Sequence, residues 1–218
     1  MKTILLKFSG PLQSWGTSSK FNDRETDLYP SKSAVVGIIA ASFGYGRDED
    51  DKIQKINEID FGVRIDDQGR LLKDFQIVAT YKNGKLDKNF VTNRYYIEDA
   101  TFLCAISHED DKFVEDIYNA LKSPFWQGYM GRKSCPLPYD FLIGIYDDNI
   151  INLLEKHKYL GSKSSKKNKA RCYIDSKLLS GKDRIFREDS VESFSSKNRK
   201  YGYRSESKFF INLKVNEN

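Results

Sequence analysis

The chain has 218 residues, of which 39% are hydrophobic, 13% aromatic and 31% charged, with a formal net charge of +5. Length allows one large domain or one domain with a small appendage, and the mean hydropathy of −0.62 is that of a soluble chain. No apolar run approaches the ~18–20 residues of a bilayer span. The start, Met1-Lys2-Thr3-Ile4-Leu5-Leu6-Lys7-Phe8, is too short and interrupted for a signal peptide. A cytoplasmic protein with no membrane contact is therefore expected.

Residues 3–9 alternate weakly between apolar and polar types and predict a first strand. Residues 10–31 read as a long polar loop, and loops of that length inside a compact domain are usually functional. Ser31 is placed to cap a helix through Ala34–Ala41 that stops near Gly44. That segment is apolar almost all round, so it is expected to be buried against a sheet. Asp48-Glu49-Asp50-Asp51 opens a second helix carrying Ile53, Ile56 and Ile59, its acids matched to the helix dipole.

Strand patterns at Phe61–Ile65 and Leu71–Val78 flank Asp66-Asp67-Gln68-Gly69, a hairpin-turn signal. Residues 79–97 look like an inserted arm turning at Lys82-Asn83-Gly84-Lys85. Thr101–Ser107 predicts another strand, and Phe113, Ile117 and Leu121 share one face of a helix ending at Ser123-Pro124. Phe141–Tyr146 is the next strand. The order strand, helix, strand, strand, helix, strand predicts an α+β fold, a ferredoxin-like (RRM-related) domain with an antiparallel sheet. That domain is taken to span residues 1–150, with a small, mainly β, basic region at 151–218. Within it, 161–169 reads as a loop, Arg171–Asp175 and Ile185–Arg187 as short strands, and Phe209–Val215 as a closing strand.

Charge is distributed unevenly. Residues 156–204 hold fifteen Lys/Arg against five Asp/Glu, whereas residues 1–155 hold nineteen against twenty-four. A basic third on a mildly acidic body points to a polyanion. Cys104, Cys135 and Cys172 are odd in number and never in a C-x-x-C pair. With only His108 and His157 beside them, neither a disulfide framework nor a zinc site is expected.

Catalytic patterns fail on spacing. A phosphate-binding P-loop needs four residues between its glycines and a Lys directly after the second. Here two residues separate Gly128 from Gly131, and Arg132 precedes Lys133. His108 stands among Glu109, Asp110 and Asp111, and His157 stands in the basic segment; neither neighbours a nucleophile elbow. No cofactor and no metal are expected. What remains suits phosphates and bases. Gly131-Arg132-Lys133-Ser134 offers free amides, two cations and a hydroxyl. Arg94-Tyr95-Tyr96, and again 198–204, pair guanidiniums with aromatic rings on which unstacked bases can lie.

Three stretches carry a family resemblance. Gly10-Pro11-Leu12-Gln13-Ser14-Trp15-Gly16 resembles the G-P-L/M-Q-S/A-W-G signature of the CasD family of CRISPR-associated proteins. Pro30-Ser31-Lys32-Ser33 resembles that family's helix start, and Tyr129–Leu137 its Y-L/M-G-R-R/K-S-C-P-L loop. Residues 187–201 follow its C-terminal pattern, although Val191 stands where the family commonly has proline.

The resemblance implies a non-catalytic subunit of the type I-E Cascade complex that holds the 5′ handle of crRNA. Such a subunit contacts the backbone and large subunits, and through them target DNA near the PAM. It places Gln13, Ser14, Trp15 and Gly16 on the handle surface, with Lys32 and Ser33 at a helix N-terminus nearby, where amides and dipole attract phosphate. Arg132, Lys133 and Ser134, with Gly131, would grip the backbone, and Arg94 and Tyr95 would reach the RNA from the arm. Trp15 has a second reading, as a core plug beside Leu12. The alternative function is a metal-independent endoribonuclease that processes precursor crRNA, as in type I-C relatives.

Overall fold

The computed structural model describes residues 1–16, 23–162, 169–179 and 183–213. Nine strands form one sheet: β1 (Thr3–Gln13), β2 (Asp23–Arg24), β3 (Asp60–Asp67), β4 (Arg70–Lys82), β5 (Lys85–Ser107), β6 (Leu142–Tyr146), β7 (Lys169–Asp175), β8 (Arg184–Ser193) and β9 (Lys200–Asn212). Their spatial order is β6-β1-β5-β3-β7-β9-β8, with β2 and β4 paired to the outer part of β5. Every pairing is antiparallel except β2 with β5. The molecule is thus a mixed α/β protein built on a large antiparallel sheet. No helix among the described residues is long and apolar enough to cross a membrane.

Helices α1 (Lys32–Phe43), α2 (Asp50–Asn57) and α3 (Asp111–Lys122) pack on one face of the sheet. Local chemistry sets their ends. The Ser31 hydroxyl accepts from the Ala34 N–H, and Gly44 closes α1 in a left-handed conformation at φ 78°. The Asp110 carboxylate accepts from the Lys112 and Phe113 amides and starts α3, which turns Phe113, Ile117 and Leu121 inward. Together with Ile4, Leu6 and Phe8 of β1 and Phe102, Cys104 and Ile106 of β5, these helices form the main core. A short helix, α4 (Ile150–Lys156), covers part of the opposite face, seating Ile150 and Leu154 on Leu5, Leu103 and Ala105.

Several expectations are corrected. The first strand does not stop at residue 9; it runs through the Gly-Pro-Leu-Gln motif, where Leu12 pairs with Glu98 and Gln13 with Ile97. The turn at 66–69 does not join a paired hairpin, because β3 pairs with β5 and β7 while β4 pairs only with β5. Gly69, at φ 66°, redirects the chain there, and a Cβ would sit 2.3 Å from the Glu98 carbonyl oxygen.

The arm is not confined to 79–97 either. It is the outer two-thirds of a ribbon in which all thirteen residues of β4 run beside β5, turning at Asn83-Gly84. A 23-residue strand is about 75 Å long, so β5 begins in the arm and ends in the core. In the C-terminal region, α4 was not foreseen, β8 extends well beyond 185–187, and β9 starts at Lys200 rather than Phe209. Residues 163–168 of the expected loop and 214–215 of the expected last strand lie outside the described residues.

Candidate nucleic-acid interface

A cavity of about 1080 Å³ opens along α1. Its floor is the stripe Ala34, Gly37, Ile38 and Ala41, which recurs at the i, i+3, i+4, i+7 spacing of one helix face. Three of these four residues are Ala or Gly, so the helix surface lies low between higher walls. The opposite stripe, with Val35 and Ile39 fully buried, packs into the core. The expectation that α1 is buried against the sheet holds, and only its Ala34, Gly37 and Ala41 positions, with Phe43, are half-buried.

The walls carry five cations, Arg24, Arg47, Arg132, Lys133 and Arg199, against one carboxylate, Glu25. Aromatic rings of Tyr45, Trp126, Tyr129, Phe194 and Tyr201 stand between them. Among the described residues none of the five cations forms an ion pair with a carboxylate. Unpaired positive charge beside the exposed Trp126 and four half-buried rings suits the phosphates and unstacked bases of a single-stranded nucleic acid.

The loop at 128–136 forms one wall. The Met130 N–H donates to the Cys135 carbonyl at 2.7 Å, and the Ser14 N–H donates to the Met130 carbonyl at 3.1 Å. Gly131 adopts φ 80°, and a Cβ there would fall 1.5 Å from the Ser14 carbonyl oxygen. Only glycine permits that approach, so the first and third sequence motifs meet at this one contact. Arg132 donates to the Arg24 carbonyl at 2.7 Å and lies 4.5 Å over the Tyr96 ring. Its other terminal nitrogen is buried without a partner among the described residues. Burial pushes the Tyr96 phenol up, but Arg132 and Ser134 beside it outweigh that and leave it below a phenol's ordinary value. Lys133 and Ser134 are exposed.

The N-terminal motif is placed differently from its sequence reading. Gln13 is fully buried: its amide donates to the Ala100 carbonyl at 2.8 Å and accepts from the Trp15 indole N–H at 3.1 Å. Trp15 is 1% exposed and packs against Phe8 with ring centroids 5.1 Å apart, which favours the core-plug reading. Ser14 and Trp15 touch the cavity edge, and Gly16 is exposed there.

Lys32 and Ser33 are also buried, and the anion at the α1 N-terminus is internal. The Lys32 N–H donates to the Asp189 carboxylate at 2.9 Å, and its ammonium lies 3.6 Å from Asp175. Burial holds that ammonium below its ordinary range, partly offset by Asp175. Ser33 donates to the Ser31 hydroxyl at 3.2 Å while reaching the cavity wall.

Asp189 belongs to a buried ion cluster. Arg204 grips it through two nitrogens at 2.8 and 2.9 Å, and reaches Asp175 and Glu206 at 2.8 Å each. Burial raises the Asp189 carboxyl, but Arg204, Arg187 and the Lys32 amide more than compensate and hold it below the usual carboxylate range. Arg187 bonds Asp27 at 2.8 Å and lies 4.2 Å over the Tyr29 ring, and the Tyr29 hydroxyl donates to Glu206 at 2.5 Å. The Arg204 end of the 198–204 segment, read above as a nucleic-acid segment, is therefore structural, while Arg199 and Tyr201 reach the cavity.

Arg94 and Tyr95 lie at the base of the arm, outside the cavity lining. Arg94 pairs in register with Arg24 of β2 and faces Asp74 across the ribbon, and Tyr95 sits under Lys73 at 5.8 Å. Sequence reading missed Arg24, Arg47 and Trp126; a lone cation in an unpatterned loop gives no signal of what it will stand beside. The histidines are elsewhere. His108 packs edge-on against Phe113 at 5.2 Å, and His157 ends α4, its imidazole held below its ordinary value by burial.

The family model described as "CRISPR-associated protein (Cas_Cas5)" matches residues 3–206. The chain is 29% identical over 156 residues to the CRISPR system Cascade subunit CasD of Escherichia coli (strain K12), covering 65% of this chain and 70% of that protein. A chain from a solved CRISPR RNA-guided surveillance complex superposes with a TM-score of 0.81 at 25% identity, over 97% of this chain and 90% of that one. A solved Cas protein gives 0.69 at 29% identity, over 96% and 95%. The family model spans nearly the whole chain, and the motifs that suggested the kinship meet at the Gly131–Ser14 contact: the chain belongs to the Cas5 family of CRISPR-associated proteins.

Proposed function

We propose that this chain is a Cascade subunit of the type I-E kind that binds the 5′ handle of crRNA without cutting it. The observation that carries the reading is the groove along α1, where five cations without carboxylate partners among the described residues stand beside aromatic rings, Trp126 exposed and the others half-buried. Phosphates would lie against Arg24, Arg132 and Lys133, with the Gly131 turn and Ser134 completing that wall. Bases, unstacked, would lie toward the rings. Gln13, Trp15 and Lys32 act indirectly in this account: they hold the loop and helix that form the groove. Arg94 and Tyr95 would meet RNA passing from the groove onto the arm.

The fold supports the same reading. We infer a ferredoxin-like, RRM-related unit from β1, α1, β3, the inner part of β5, α3 and β6, whose strands lie in the spatial order β6-β1-β5-β3. We place it between the backbone and large subunits of a cytoplasmic complex, a reading that kinship with a Cascade subunit supports. Both histidines lie outside the groove lining, so neither could serve as the base beside a phosphate bound there.

The test is binding of labelled handle RNA to the wild-type protein and to Arg132→Ala/Lys133→Ala over a range of salt. The double variant is expected to bind more weakly, with the slope of log affinity against log salt reduced by about 1.4, or about 0.7 per lost phosphate contact on a single strand. Equal affinity and slope would sink the proposal.

A further inference from the structure

The groove has a second cationic end, where residues of the 187–201 stretch line the same cavity as Arg47 and Trp126. Arg47 follows α1, and Arg199 precedes β9; both are exposed. Both line the cavity together with Tyr201, whose phenol is pushed up by burial and partly drawn back by these two guanidiniums. Tyr201 meets Phe194 edge-on at 6.4 Å and 72°, and Phe194 lies over Gly37 on the groove floor. Trp126 faces the same cavity from the segment 125–126, whose amides cap α1 through the Ser42 and Ala41 carbonyls at 2.9 and 3.1 Å. A rigid anchor thus holds an indole that is 60% exposed, an arrangement that costs solvation unless something stacks on it. The cavity, at about 1080 Å³, exceeds what a single drug-sized ligand fills, which is ~300–1,000 Å³.

We propose that the end formed by Arg47, Arg199, Tyr201, Phe194 and Trp126 is a separate seat for one further nucleotide of unpaired RNA. Its phosphate would lie between the two guanidiniums and its base against the aromatic wall. This rests on the handle-binding reading and extends it: the handle would span the groove from the Arg132 loop to the C-terminal hairpin, so the two halves of the chain share one strand of RNA.

The experiment measures binding of the full chain to handle RNA and to a series shortened one nucleotide at a time from each end. Wild type, Arg47→Ala/Arg199→Ala and Arg132→Ala/Lys133→Ala are compared. Arg47→Ala/Arg199→Ala is expected to bind full-length handle about tenfold more weakly, as for loss of one charge-assisted contact. The defect should vanish on the one truncation that removes the seated nucleotide. Full affinity in this variant, alongside weak binding by Arg132→Ala/Lys133→Ala, overturns the second seat and leaves the handle reading standing. Equal losses on every RNA in the series also overturn it, because a general field then explains them. Handle binding unchanged in both variants overturns the handle reading and the seat with it.

Discussion

Two regions touching the same helix use arginine in opposite ways. At the N-terminus of α1, Arg204 is buried, Arg187 is half-buried, and each guanidinium is matched to carboxylates, with Arg204 alone reaching Asp175, Asp189 and Glu206. Along the groove of α1, Arg24, Arg47 and Arg199 are exposed and meet no carboxylate among the described residues. A buried charge must be paired to be tolerated at all, whereas an unpaired cation in solvent costs little and remains available to a phosphate. The cluster therefore fixes the position of helix and hairpin, and the groove leaves its charge free for a ligand.

The comparison breaks first at Arg204. Arg204→Ala would remove the one guanidinium shared by three buried carboxylates and is expected to cost about 3–5 kcal/mol in urea unfolding, while Lys133→Ala on the groove wall leaves unfolding unchanged. Comparable losses from both would erase the distinction. Next in size is Gly131→Ala, whose Cβ would collide with the Ser14 carbonyl oxygen. We expect a loss of about 1–3 kcal/mol together with weaker handle binding, because the Arg132 loop moves with it.

The groove floor gives a finer test. A Cβ at Gly37 meets Phe194 at an ordinary 3.6 Å, so Gly37→Ala is expected to raise stability by about 0.5–1 kcal/mol without harming RNA affinity. Gly37→Leu should keep the fold and lose binding, as the side chain rises into the groove. The smallest effect is acid-dependent. Asp189 titrates below its ordinary value when folded, so its contribution is complete above the unfolded carboxylate range. That contribution is lost as pH falls through the lower folded value. Asp189→Asn should flatten that acid limb in equilibrium unfolding, and no groove cation variant should change it.

Much of this was legible from residues because it is local. Ser31 and Gly44 declare the ends of α1, and the spacing of Phe113, Ile117 and Leu121 fixes the inward face of α3. What escaped is set over distance. Arg199 and Arg204 lie five residues apart in one cation-rich run, yet Arg204 is buried because pairing of β9 with β7 and β8 brings Asp175 and Asp189 to it. The N-terminal motif looked like a ligand surface, but Gln13 spends its amide on Ala100 and Trp15, so much of the motif's specificity is internal. The length of the arm was hidden because a solvated two-stranded ribbon has no buried face to impose alternation. Helix α4 is seven residues long, too short to show a periodicity.

The most direct measurement incubates the purified protein with labelled handle RNA and with precursor repeat RNA at several salt concentrations, reading affinity and product together. The account predicts salt-dependent binding of the handle, intact RNA of both kinds, and a reduced salt slope in Arg132→Ala/Lys133→Ala. A discrete cut within the repeat, or handle binding indifferent to both salt and those two residues, would contradict it.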